Sequence, residues 1–258
     1  MEIKGFAQDL NLFRAEWHRS VKLMKTYPID TVNNILSFMI MSVVFMVGVN
    51  AVGDSSQVFG VIFFPLMLNL IGGPSASIRG DIELGVFEQV YISRYSLLKT
   101  AIVRTLISGL TSLVGSALIA LIMHLFFLKL SISLPGGALL FILFSVQSLA
   151  AGIFMAALTV RWRKVDTLLN FFNILIMVEL VLPLNRFTEI SGLVPLAAVP
   201  FYGVVVLYQQ LLGSSPVTAM IPTFFCTLLN TALILSGACF AYKKCMRAAK
   251  AGGTLGQY

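Results

Sequence analysis

The densest mixed charge in this sequence is the stretch RGDIELGVFEQVYISRYSLLKTAIVR, Arg79 to Arg104, with four basic and three acidic side chains. Its carboxylates Asp81 and Glu83, with Asp166, are of the type that would hold a divalent cation for a metal-dependent lipid transferase. They are not the clustered intramembrane carboxylates that such chemistry uses. His18 and His124 are expected on opposite sides of the bilayer, so they cannot share a metal. No serine has a histidine and a carboxylate beside it for nucleophilic catalysis. Cys226, Cys239 and Cys245 lack metal-site spacing and read as reduced thiols. No Gly-x-x-x-x-Gly-Lys-Ser/Thr occurs, so ATP is not cradled by that route. No catalytic, cofactor or metal residue is assigned, and a membrane-embedded lipid-modifying enzyme is the weaker class.

Polar residues inside apolar runs are the remaining candidates, since an ionisable group in a membrane segment is a functional hypothesis by default. Glu179, in IMVELVLPL, reads equally as a ligand for substrate or ion and as a structural group that pairs with Arg186 or sits at the outer interface. Asn170 and Asn173, three apart, share a helix face and read as core glue or as the lining of a path, and Asn69 and Asn230 carry the same two readings.

The elements that must position these residues follow from composition. With 58% hydrophobic and 11% charged residues, the 258-residue chain is far from the usage of a soluble domain, and its mean hydropathy is +0.91. About 20 apolar residues cross about 30 Å of hydrocarbon. Six runs qualify, at 31–49, 57–78, 97–128, 137–160, 168–183 and 218–242, within a single all-α transmembrane domain over 1–258. Residues 1–28 are polar and read as no cleaved signal.

The formal charge of +7 is distributed by side rather than as a nucleic-acid patch. With both termini cytoplasmic, all of the 18 lysines and arginines except Lys129 and Arg186 fall on the cytoplasmic side, as basic residues of short loops do. The expected partner is membrane lipid, not nucleic acid. The stretch 187–213 is apolar but broken by Pro195, Pro200 and Gly203. A seventh crossing there would put KKCMRAAK outside, so the segment is expected to dip into the outer leaflet and return, shielded by protein.

Over 8–27, Leu10, Phe13, Trp17, Val21 and Met24 recur at helical spacing while Arg14, Arg19, Lys22 and Lys25 take other faces. This predicts a helix in the cytoplasmic headgroup layer anchored by Phe13, Trp17 and Val21, or one packed on a soluble subunit. Residues 80–96 must emerge into the cytosol, because charge at mid-membrane costs roughly 2.5–3.5 kcal/mol per residue. There Leu84, Phe87 and Tyr91 share helical spacing, with Glu83 and Glu88 on the exposed side. A helix of this length is marginal alone, so it needs a docking partner.

The stretch from Ile82 to Arg104 resembles the cytosolic segment of type-2 ATP-binding-cassette export permeases. Glu83, Gly85, Glu88, Ser93 and Ser96 match that family's pattern in place, and Val86 and Phe87 hold its usual Thr-Leu positions; Arg94 stands where Pro is frequent. In VPFYGVVVLYQ, Pro200, Phe201 and Gln209 fit a later family motif and Gly203 departs from it. The resemblance implies a coupling helix over 80–96, with Glu83, Gly85, Phe87, Glu88, Tyr91 and Ser93 seated on a separate nucleotide-binding ATPase. ATP and Mg would be held in that partner and no cofactor in this chain. It further implies a dimer, with itself or with a similar permease, in the plasma (inner) membrane of a bacterial or archaeal cell. The expected cargo is a drug-like, antibiotic or lipid-like amphiphile, with a lipid-linked polysaccharide as the alternative. Glu179, Asn170, Asn173 and Phe38 would line its path. The family also lines its dimer axis with the spans that carry Phe45, Phe63, Phe64, Phe171 and Phe172.

Overall fold

The computed structural model describes residues 2–29, 58–86, 95–126, 134–162, 165–181, 199–212 and 217–251, with short pieces at 32–33, 36–37, 39–40 and 89–90. Among the described residues the main elements are helices, and no strand occurs. In chain order they are α1 (Glu2–Thr26), α2 (Val58–Glu83), α3 (Leu97–Phe126), α4 (Leu134–Trp162), α5 (Asp166–Val181), α6 (Tyr202–Leu212) and α7 (Val217–Ala251). Three described stretches are long and apolar enough to cross a bilayer: Leu97–Val114, Gly136–Trp162 and Met220–Ala249. Asp166–Ile176 is a shorter apolar helix. Most of the run at 31–49 and all of 187–198 lie outside the described residues.

Helices α2 and α4 form the centre. Helix α2 packs between α3 and α4, α7 lies along α4, and α6 is wedged against α4, α7 and α2. Small residues set these distances. A β-carbon on Gly152 would stand 2.3 Å from the carbonyl oxygen of Leu70, so α4 touches the backbone of α2. On the other side of α2, a β-carbon on Gly73 would meet Thr105 Cγ2 at 2.7 Å. Close backbone approach through small residues, with side-chain hydrogen bonds across it, is how helices associate where hydrocarbon offers no hydrophobic drive. Two such bonds span α2: the Ser75 and Thr159 hydroxyls lie 2.6 Å apart, and Asn69 Nδ2 donates to Ser112 Oγ.

Helix α7 has inverted polarity. Ile221, Phe225, Leu228, Leu229, Leu233 and Phe240 face outward, while Thr223, Thr227, Asn230 and Thr231 are buried. A water-soluble helix buries its apolar stripe and exposes its polar one. This arrangement suits surroundings that are hydrocarbon.

Helix α6 has 11 residues, about 16 Å at 1.5 Å per residue, roughly half the hydrocarbon thickness. Phe201 to Gln209 are all buried, so this helix is covered by protein. Gly203 has a local reason: its β-carbon would fall 2.2 Å from Thr227 Oγ1. Phe201 takes φ 65°, a strained region for a bulky residue. Its N–H is nevertheless bound, donating to Gln147 Oε1 at 3.1 Å.

Within the segment expected as one helix over 80–96, the described residues show a break at Gly85. Asp81 to Glu83 continue α2, which stops at Gly85 with φ 68°. Val86 N–H bonds Asp81 C=O and Gly85 N–H bonds Ile82 C=O, each at 3.0 Å. These two bonds make a Schellman cap, which calls for a left-handed residue without a Cβ. A second helical bond follows, from Val90 N–H to Val86 C=O at 3.0 Å. Leu84, expected on the apolar underside, is instead 69% exposed. It precedes the capping glycine and is carried out of the helix packing.

Candidate functional site

One apolar cluster gathers the C-terminal ends of α2, α4 and α7 with the N-terminal end of α3, through Ile78, Leu97, Val160 and Tyr242. Chain direction therefore brings Arg79, Lys99, Arg104, Arg161, Lys243, Lys244 and Arg247 to one end of the bundle. Helix α1 joins that end through charge, Asp9 accepting from Lys99 Nζ and Glu16 from Arg104 Nε. Helix α5 joins it through Asp166, which pairs with Arg79.

Arg104 is the hub. Its Nη1 stands 2.8 Å from both carboxylate oxygens of Asp81 and 3.2 Å from Ser77 Oγ, and its Nε is 3.0 Å from Glu16 Oε1. Asp81 is only 3% exposed. Buried charged groups are found paired and hydrogen-bonded, as this one is. Glu16 also meets Arg19 at 3.5 Å, so two carboxylates and two guanidiniums sum to a neutral group. Such pairs below the surface are screened by salt much less than exposed ones.

Helix α1 carries two faces. Asp9, Leu12 and Glu16 recur at spacings of three and four and turn toward α3, Leu12 being buried. On the other face, Leu10, Trp17 and Met24 are exposed, and the Phe13 and Trp17 rings stack at 6.3 Å and 15°. Val21 is half-buried. Part of the apolar stripe is thus exposed, and the polar pairs together with Leu12 hold the helix to the bundle.

A cavity of about 360 Å³ opens between α1, α2 and α3 beside Arg104, Glu16 and Arg19. Gly73, Ala76, Ser77 and Gly80 line it from α2, together with Asn69 and Asp81. The four small residues on that face leave room for it.

Of the residues expected to meet an ATPase, Glu83 is exposed and 3.5 Å from Arg79, and Gly85 makes the cap. Ser96 caps α3: its Oγ accepts from Lys99 N–H at 3.3 Å, the usual third-residue bond of an N-cap serine. Phe87, Glu88, Tyr91, Ser93 and Phe38 lie outside the described residues, as does Phe45. Glu179 lies in the last turn of α5, its side chain outside the described residues. Asn170 is exposed and Asn173 half-buried on that helix, about one and two turns beyond Asp166. Asn173 Oδ1 is buried with no hydrogen-bond partner among the described residues. Phe64 and Phe63 pack in the core with Phe144, and Phe171 is exposed.

Reasoning from sequence missed Asp9 and Glu16 altogether and did not pair Asp81 with Arg104. The shared α1 face of Asp9, Leu12 and Glu16 was the available signal. It also missed Gln147, whose Nε2 bonds Thr231 Oγ1 at 2.8 Å and Asn230 Oδ1 at 3.3 Å. Among the described residues, no group of three or more His, Cys, Asp or Glu could hold a metal ion.

Fold and charged end together define an all-helical protein in which three of the described helices are long and apolar enough to cross a membrane. No family profile, curated protein or solved structure matches the chain.

Proposed function

We propose that this chain is the membrane-spanning subunit of an ATP-driven exporter of the type-2 ATP-binding-cassette kind. Two such subunits, identical or similar, enclose a passage, and separate ATPase subunits dock on the segment that follows Gly85. The charged end is cytoplasmic, six crossings bring both termini to it, and α6 belongs to a segment that dips into the outer leaflet. A hydrophobic or amphiphilic molecule is moved outward from the plasma (inner) membrane.

The observation that carries this reading is the linkage around residues 84–96. That short segment runs directly from the capped end of α2 to the Ser96 cap of α3. Asp81 and Arg104 clasp those same two helices just inside the bundle. Force on the segment passes into both helices as one body, the requirement for a lever between a motor and a passage. The gathered cations support a cytoplasmic placement of that end.

The test is co-expression with the cassette ATPases of the same genome. One of them co-purifies, and its hydrolysis rate rises in the complex. Glu88→Arg reverses a docking charge and lowers both binding and stimulation while insertion is unchanged. Absence of any bound ATPase, or ion conduction by the purified chain without nucleotide, overturns the reading.

A further inference from the structure

We propose that the cavity between α1, α2 and α3 binds the headgroup of a zwitterionic phospholipid, a phosphate diester next to a primary ammonium. At about 360 Å³ it lies at the small end of ligand-sized clefts, which run roughly 300–1,000 Å³. The inference depends on the membrane placement of the charged end and is independent of any ATPase.

The charge of the lining selects the ligand. Glu16 and Asp81 are balanced by Arg19 and Arg104, so a net anion or cation entering would remain uncompensated, whereas a zwitterion keeps the group neutral. Both halves of a zwitterion find partners. Among the described residues Arg104 Nη2 has no acceptor, and Arg19 has only Glu16 at 3.5 Å, so two guanidinium edges remain for phosphate oxygens. Each Glu16 oxygen holds one partner and retains acceptor capacity for an ammonium.

The surroundings select a lipid. Leu23 and Leu84 line the cavity and are 48% and 69% exposed. From Ile107 on the cavity wall, Leu110 and Val114 continue the same face of α3 one and two turns on, both exposed. A headgroup seated by Arg104 would lay its acyl chains along that strip.

Gly80 permits a clean test, because a β-carbon there meets nothing within 4 Å. The full chain, stripped of lipid in maltoside, is titrated with dihexanoyl-phosphatidylethanolamine, dihexanoyl-phosphatidylglycerol and soluble glycerophosphoethanolamine, with binding read by native mass spectrometry. The ethanolamine lipid binds most tightly, the other two about tenfold less, the loss expected for one uncompensated charge or the missing chains. Gly80→Leu fills the cavity and weakens the ethanolamine lipid by about tenfold or more, while Gly80→Ala stays within about twofold. Arg19→Gln, on the exposed rim, gives the same loss should Gly80→Leu fail to fold. Unchanged binding in the filled and rim variants, or equal binding of phosphatidylglycerol, overturns the proposal. Equal binding of the soluble ester assigns the site to a cytosolic phosphoester and overturns the lipid assignment.

Discussion

Arg104 holds both carboxylate oxygens of Asp81 at 2.8 Å from a single nitrogen, joining α2 and α3 at the level where the chain leaves the bundle. Removing one partner of a pair this buried leaves an uncompensated charge, a loss of about 3–5 kcal/mol. Arg104→Met is therefore expected to unfold markedly earlier in a detergent melt. Asp81→Leu together with Arg104→Met recovers part of that loss, because the stranded carboxylate is gone. Additive losses in the double variant would show that the two residues act separately.

Gly152 lies against the α2 backbone with no space for a methyl group. Gly152→Ala pushes a β-carbon toward the Leu70 carbonyl, 2.3 Å away, and neither backbone can turn aside. The expected loss is about 1–3 kcal/mol from overpacking. Gly237→Ala is the control, since its β-carbon meets nothing within 4 Å, and it should hold or raise stability by helix propensity. Parallel denaturation of both variants checks the pair.

The contact between Gly203 and Thr227 joins α6 to α7. Gly203→Ala collides with the threonine hydroxyl at 2.2 Å and with its Cγ2 at 3.2 Å. Thr227→Ala deletes both atoms. The double variant is expected to be more stable than Gly203→Ala alone, with a coupling of about 0.5–3 kcal/mol in a thermodynamic cycle.

Gln147 binds three partners across elements: Phe201 N–H, Asn230 Oδ1 and Thr231 Oγ1. Gln147→Leu keeps the volume close and strands the Phe201 N–H in a buried turn. The expected cost is about 1–3 kcal/mol. Backbone amide exchange at Phe201 and along the first turn of α6 should accelerate ahead of α4, and uniform exchange would show that the turn does not depend on this side chain.

Much of the architecture was legible because it depends on sums along the chain. Apolar runs at 97–128, 137–160 and 218–242 became α3, α4 and α7 with ends shifted by a few residues, except where α7 continues through Lys243, Lys244 and Arg247. Of the expected stripe Leu10, Phe13, Trp17, Val21 and Met24, the first, third and fifth are exposed and Phe13 and Val21 are half-buried. Gly85 was singled out as a matched motif position, and its left-handed φ now gives a physical reason for it.

What composition and periodicity determined, then, were the helical class, the apolar stretches and the bias of cations toward particular connections, because each is a property of neighbouring residues. Which charge meets which was decided only by packing. Glu16 reaches Arg104 across 88 positions and Asp9 reaches Lys99 across 90, and no local spacing encodes contacts that distant. The cavity beside them has the same origin, since a wall of Gly73 and Gly80 becomes a hollow only when two other helices close around it.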